Sequence, residues 1–308
     1  MRNSTQVSFF VLEAFLDVGL VKYLVFLFIM CFYVLTLFSN LLLIVVICVN
    51  RTLHEPMYLF LVSLFVNELY GSSGLFPLIL VQVLSDSHIV SAPLCFLQIF
   101  CLYMYVNVEF YTLAVMSYDR YLAICRPLQY GAQMRAGKVA LLLAVSWLLP
   151  VVVITVMTSL TVSLRLCGNV LDTLYCNNYS VVNLACSDTT TNNIYGLVYT
   201  FLVLAGLTVL IVFSYLKILK VCFSSSAQTR QKAASTCVPH LASLLNFSFG
   251  CFFEIAQSRV RMGGVPAALR IILSMYFVTC QPLFNPVLYG LNLTKIRVIC
   301  RNLLFHGP

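Results

Sequence analysis

The chain has 308 residues, 61% of them hydrophobic and only 9% charged, with a formal net charge of +8 and a mean hydropathy of +0.96. Soluble domains carry about 25% charged residues, so a water-soluble fold and a nucleic-acid-binding protein are both excluded. The positive balance is read as membrane topology, not as attraction to a polyanion.

Runs of about 20 apolar residues predict seven spans, at roughly 23–49, 57–82, 92–118, 139–160, 194–223, 233–258 and 267–290. The fold class is an all-α membrane protein: a seven-helix bundle over 23–290, preceded by an N-terminal segment (1–22) and followed by a short segment and tail (291–308). Residues 291–305 alternate apolar and basic side chains at helical spacing, the pattern of an amphipathic helix on an anionic leaflet. Cys300 on it is either acylated or a free thiol.

An odd number of spans puts the termini on opposite sides. One set of loops holds Arg51, Arg120, Arg126, Arg135, Lys138, Lys217, Lys220, Arg230, Lys232, Lys295, Arg297 and Arg301. The other holds Arg2, Lys22, Arg165, Arg259, Arg261 and Arg270, and more of the acids. Twelve bases against six place the first set in the cytoplasm and the N-terminus outside. The acceptor pattern Asn3-Ser4-Thr5 agrees, since glycosylation occurs only in the secretory lumen. The first apolar run is too long for a cleavable signal peptide and is expected to act as an uncleaved anchor. Four of the 13 cysteines, Cys95, Cys167, Cys176 and Cys186, fall on the oxidising side, where three pairings are open.

Inside the spans, four polar residues fall at similar depth. Glu68 and Glu109 each lie 11 residues from an inner boundary, Met57 and Arg120 respectively, or ~16 Å at 1.5 Å per residue. Asn40 and Asn285 sit about 10 residues from their inner ends. The four are expected to converge on one wet cavity, where clustered carboxylates share a proton or hold a cation, Na⁺ being the expected ion. Pro282 and Pro286 in the seventh run each remove a backbone donor and predict a hinge beside Asn285 that aims Tyr289 at the inner mouth.

At the inner end of the third run, Asp119 and Arg120 stand side by side. A guanidinium cannot shed its proton, so Arg120 is a permanent cation restrained by its neighbour. The surrounding Met116-Ser117-Tyr118-Asp119-Arg120-Tyr121-Leu122-Ala123-Ile124-Cys125 resembles the inner-end motif of odorant receptors among rhodopsin-like G-protein-coupled receptors. Leu53-His54-Glu55-Pro56-Met57-Tyr58, Ser214-Tyr215, Lys232-Ala233-Ala234-Ser235-Thr236-Cys237-Val238-Pro239-His240-Leu241 and Pro282-Leu283-Phe284-Asn285-Pro286-Val287-Leu288-Tyr289 are similar to further motifs of that family, in its order. Three departures stand out: Glu68 where mammalian members usually have Asp, Pro239 where Ser is usual, and Ser39 where Gly commonly precedes Asn40. They resemble a fish-type branch.

The resemblance implies disulfides Cys95–Cys176 and Cys167–Cys186, and a ligand site in the outer half of the bundle. Its expected lining is Leu102, Tyr103, Val106 and Asn107 on the third span, Tyr199 and Val203 on the fifth, Cys251, Phe252 and Ile255 on the sixth, and Met275, Val278 and Thr279 on the seventh. Such a wall suits a small, mostly apolar odorant. Glu254 either faces inward or pairs with Arg259 or Arg261; the rim pairing is the expectation.

The implied mechanism is a population shift. Arg120 leaves Asp119 and, with Tyr121, Tyr215, Tyr289 and the Asn285-Pro286 hinge, opens a cavity for a stimulatory heterotrimeric G protein that raises cAMP. His240 is either a polar latch or a satisfied buried histidine. The expected location is the plasma membrane of olfactory cilia, with lipid as the surrounding partner. A non-olfactory chemosensory receptor is the alternative. A channel or transporter lacks its usual internal repeats or charged pore rings. An intramembrane enzyme would have only the Glu68/Glu109 pair to work with, so no catalytic residue is expected.

Overall fold

The computed structural model describes residues 7–13, 21–224, 226–259 and 267–305. Seven long helices form the bundle: α1 (Val21–Val49), α2 (Pro56–Leu84), α3 (Ala92–Cys125), α5 (Ala136–Val162), α7 (Thr190–Phe223), α8 (Ala227–Arg259) and α9 (Ala267–Asn292). Short helices α4 (Pro127–Gln133) and α6 (Asn178–Val182) interrupt two of the connections, and α10 (Thr294–Phe305) follows the bundle. Six of the long helices are apolar and long enough to cross a membrane. α9 completes the ring by packing on α1, α2 and α8.

Proline sets several helix starts. Pro56, Pro93 and Pro127 stand in the first turns of α2, α3 and α4, where a missing N–H costs nothing and the fixed φ is already helical. The helices overrun the apolar runs at several ends; α3 continues seven residues past position 118, to Cys125. α3 is the central rod, with 61% of its most apolar window buried against 12% for α7, which turns a broad lipid-compatible face outward. Gly71 allows α2 and α3 to meet closely. A Cβ there would lie 2.4 Å from the ring of Tyr105, a buried side chain with no room to retreat.

Prolines inside α9 leave carbonyls without helical partners. The missing N–H of Pro286 frees the carbonyl of Pro282, and Asn40 on α1 donates to it at 2.8 Å. Asn40 gives its other amide hydrogen to Thr36 O at 2.9 Å. It therefore splices α1 to the broken turn of α9 and does not join the carboxylates, as its depth had suggested. Depth along a helix fixes height, not the direction a side chain points.

The end of the bundle opposite Arg120 carries features that hydropathy does not register. Phe9–Leu12 forms a strand, β1, antiparallel to β2 (Ile89–Ser91) and parallel to β3 (Val170–Leu171). Phe10 and Leu12 alternate inward and are buried. Cys95–Cys176 ties α3 to the long loop, and Cys167–Cys186 closes that loop on itself. These are the pairings implied by the resemblance.

Candidate functional site

Three places along the bundle gather chemistry: a cavity at the disulfide end, a polar knot at mid-height, and the Arg120 end.

The cavity encloses about 440 Å³ between α3, α5, α7, α8 and the disulfide-tied loop. Of the residues expected there, Leu102, Tyr103, Val106, Asn107, Tyr199, Val203 and Cys251 line it. Phe252 does not: it is 71% exposed on the lipid side of α8. Cys251 and Glu254, three residues apart, occupy the inward face, and position 252 is rotated about 100° away. Met275 and Thr279 are buried on α9 outside the lining, Thr279 Oγ1 donating to Met275 O at 2.7 Å. The side chains of Ile255 and Val278 lie outside the described residues.

Several lining residues escaped the sequence reading. Phe110 continues the α3 stripe one turn beyond Val106, and Met157 joins it from α5. Asn177, Asn178 and Tyr179 descend from the loop that Cys176 fixes in place. Asn178 heads an Asn-Tyr-Ser glycosylation pattern, yet its Oδ1 accepts from Thr161 Oγ1 at 2.7 Å in the cavity wall. At the deep end, Tyr199 OH donates to Asn107 Oδ1 at 2.7 Å and Asn107 Nδ2 donates to Tyr103 O at 2.7 Å. Glu254 lines the cavity, with Oε2 buried and without a hydrogen-bond partner, while the expected rim pairing falls on side chains that are not described. Arg261, and the side chain of Arg259, lie outside the described residues.

At mid-height, Glu68 and Glu109 do converge, with Asn285 between them. Its amide donates to Glu68 Oε1 at 2.5 Å and to Glu109 Oε1 at 2.9 Å. The remaining carboxylate oxygens accept from Tyr105 OH (Glu68 Oε2, 3.0 Å) and Asn67 Nδ2 (Glu109 Oε2, 3.0 Å). Gln281 Nε2 donates to Glu109 Oε1 at 3.2 Å, and Ser243 Oγ donates to Asn285 Oδ1 at 2.6 Å. Asn67, Gln281 and Ser243 were not foreseen, although uncharged amides inside apolar spans are themselves a signal. Gln281 lies one helical turn from Asn285 and Asn67 beside Glu68. α2, α3, α8 and α9 are thus joined through one buried network.

At the far end, the Arg120 guanidinium pairs with the fully buried Asp119 carboxylate. Tyr130 on α4 donates to the other oxygen of Asp119 at 2.8 Å. Burial, then the Asp119 charge, holds the Tyr130 phenol above its ordinary range, so it remains a donor. His240 is doubly engaged: one ring nitrogen meets Tyr215 OH and the other the carbonyl of Leu113, at 2.9 Å for the latter. It is thus a satisfied buried histidine that joins α8 to α3 and α7. Tyr289 is buried against Phe65 instead of lining the mouth. Around this end Lys138 Nζ donates to Tyr118 OH at 2.9 Å, Arg126 lies over the Tyr121 ring, and Lys295 pairs with Glu55, which raises the Lys295 amine. The side chains of Arg230, Lys232 and Cys300, and Asn3 itself, lie outside the described residues.

A bundle of seven helices with a cavity at one end and a restrained arginine at the other defines a rhodopsin-like receptor fold. Squid rhodopsin matches it with a TM-score of 0.73 at 17% identity, over 92% of this chain and 80% of that one. The family model for olfactory receptors matches residues 29–306. Human olfactory receptor 10A3 is 33% identical over 86% of this chain and 84% of its own length. Mouse olfactory receptor 6E1 is 32% identical over 98% of this chain and 96% of its own. The chain belongs to the olfactory receptor family, whose members are multi-pass plasma-membrane receptors and not enzymes.

Proposed function

We propose that this receptor detects a small, mostly apolar odorant in the disulfide-end cavity and activates a stimulatory, olfactory-type heterotrimeric G protein, raising cAMP. The observation that carries this reading is the pairing of a cavity of about 440 Å³ with a part-buried arginine at the opposite end of the same central helix, α3. The N-terminus is then extracellular and the receptor resides in the cilia of olfactory neurons.

Ligand contacts on α3 and α7 favour an arrangement in which the Arg120 end of α8 moves outward. That motion must break the His240 contacts to Tyr215 and Leu113, which hold α8 inward. Arg120 then leaves Asp119 and presents its guanidinium, inside a basic rim of Arg126, Arg135, Lys138, Lys217 and Lys220, to the G protein. Screening odorant classes against the expressed receptor with a cAMP readout tests this directly; a cAMP rise to at least one apolar class is the expected result.

The mid-height network adds a control point. Its residues suit Na⁺: two carboxylates supply charge, and both oxygens of Glu68 and Oε2 of Glu109 each keep a second lone-pair direction beyond one hydrogen bond. Asn67 Oδ1 and Ser72 Oγ, both buried and without partners, add neutral oxygen donors nearby. Glu68 and Glu109 would hold the ion, which supplies the positive charge that two buried carboxylates otherwise lack. Raising sodium is expected to lower basal cAMP in the wild type and to have no effect in Glu68→Gln and Glu109→Gln. Sodium curves that superimpose in all three, with a pH response that distinguishes them, assign the site to a shared proton.

A further inference from the structure

The cavity contains one charged residue among its described lining, Glu254, and one oxygen of that carboxylate has no partner. Several other polar groups there are engaged. Asn107 is bonded at both ends of its amide, Asn177 Oδ1 accepts from Ser180 N at 2.8 Å, and Asn178 Oδ1 accepts from Thr161. A buried carboxylate oxygen without a donor is costly wherever it occurs. Nothing among the described residues forms an ion pair with it. Tyr175, held in place beside the Cys176 disulfide, lies next to it: burial, then the Glu254 charge, drives that phenol above its ordinary range. Its hydroxyl is also buried without a geometrically sound partner.

We infer that the receptor's ligand class is a protonated amine on a small apolar body, its ammonium paired with Glu254. The inference deepens the proposed function and rests on the cavity being the ligand site. Three physical features select an amine. An ammonium supplies both the charge and the donors that Glu254 Oε2 lacks, and charge-assisted hydrogen bonds are roughly twice as strong as neutral ones. The rings of Tyr103 and Tyr179, in the same wall, offer the π-faces that favour a cation over a hydroxyl. A carboxylic acid of the same shape would set like charges against each other beside a buried carboxylate. The apolar body then runs along the α3 stripe of Val106 and Phe110 and against Val203, away from the loop.

The test uses the full-length receptor in lipid nanodiscs, with thermal stabilisation as a readout that needs no G protein, and three probes of one chain length: n-octylamine, 1-octanol and octanoic acid. In the wild type, n-octylamine is expected to stabilise at a concentration about ten-fold or more below that of 1-octanol, and octanoic acid not at all; ten-fold corresponds to about 1.4 kcal/mol. Glu254→Gln is expected to erase the gap between amine and alcohol while keeping the alcohol's effect. Glu254→Asp, which retains the charge, is expected to keep the preference and covers the case in which the Gln variant fails to reach the membrane. The inference is overturned if alcohol matches amine in the wild type, if the preference survives in Glu254→Gln, or if the amine gives no stabilisation. A parallel cAMP measurement separates the two claims. Amine stabilisation without cAMP retains the ligand class and removes the coupling reading. A cAMP response to alcohols with no amine preference does the reverse.

Discussion

Asn285→Leu is expected to remove most folded receptor from the cell surface. The amide of Asn285 is the shared donor between Glu68 Oε1 and Glu109 Oε1, at 2.5 and 2.9 Å. Without it Glu68 Oε1 loses this donor, and Glu109 Oε1 keeps the longer bond from Gln281 at 3.2 Å. Two buried carboxylates then face each other across a side chain that can donate nothing. Removing a hydrogen-bond partner from a buried charge costs roughly 2–4 kcal/mol, a large share of a net stability of about 5–15 kcal/mol. The assignment has a second signature. Glu68→Gln in the Asn285→Leu background replaces one of the two carboxyls that lost their common donor, so the pair should be less destabilised than the sum of the singles. Surface expression and melting temperature of the four receptors measure that coupling; additive losses would mean that Asn285 is not the bridge.

Cys95→Ser is expected to be the other severe change. Its disulfide spans 81 residues and fixes Cys176, from which Asn177, Asn178 and Tyr179 reach the cavity. Closing a loop of that length is worth ~4 kcal/mol in the chain-entropy account. The variant should therefore lose both surface expression and whatever the cavity binds. Cys167→Ser opens a separation of only 19 residues, worth ~3 kcal/mol on the same scale. Its loop is also held by backbone bonds, Cys167 N to Leu184 O and Cys186 N to Arg165 O, both 2.9 Å. A milder loss is expected there, measured as receptor retained at the surface. Equal losses in the two variants would show that the tie from α3 to the loop carries no special weight.

Hydropathy alone located all seven rods, because a membrane imposes length and apolarity on each. It also placed Glu68, Glu109 and Asn285 at a common height, since 1.5 Å per residue converts sequence distance to depth. Rotation was harder to read. Asn40 shares the height but turns toward the carbonyl that Pro286 leaves free, and Phe252 faces lipid while Cys251 and Glu254 face the cavity. A six-residue error in depth would be visible in a hydropathy profile; a rotation of 100° is not. The disulfide end was least legible. β1, β2 and β3 are four residues or fewer each, too short for any periodicity to announce, and Asn177 and Tyr179 reach the cavity only because a distant cysteine holds their loop. The resemblance supplied the cysteine pairing where spacing left three choices open.

Under the proposed function, occupancy of a cavity at one end of α3 releases a cation at the other. It is tested most directly by odorant-evoked cAMP in three receptors at matched surface expression: the wild type, Val203→Trp, which pushes an indole into the cavity, and Arg120→Gln, which removes the cation. A response is expected in the wild type and silence in both variants. A response that survives in either one would contradict it.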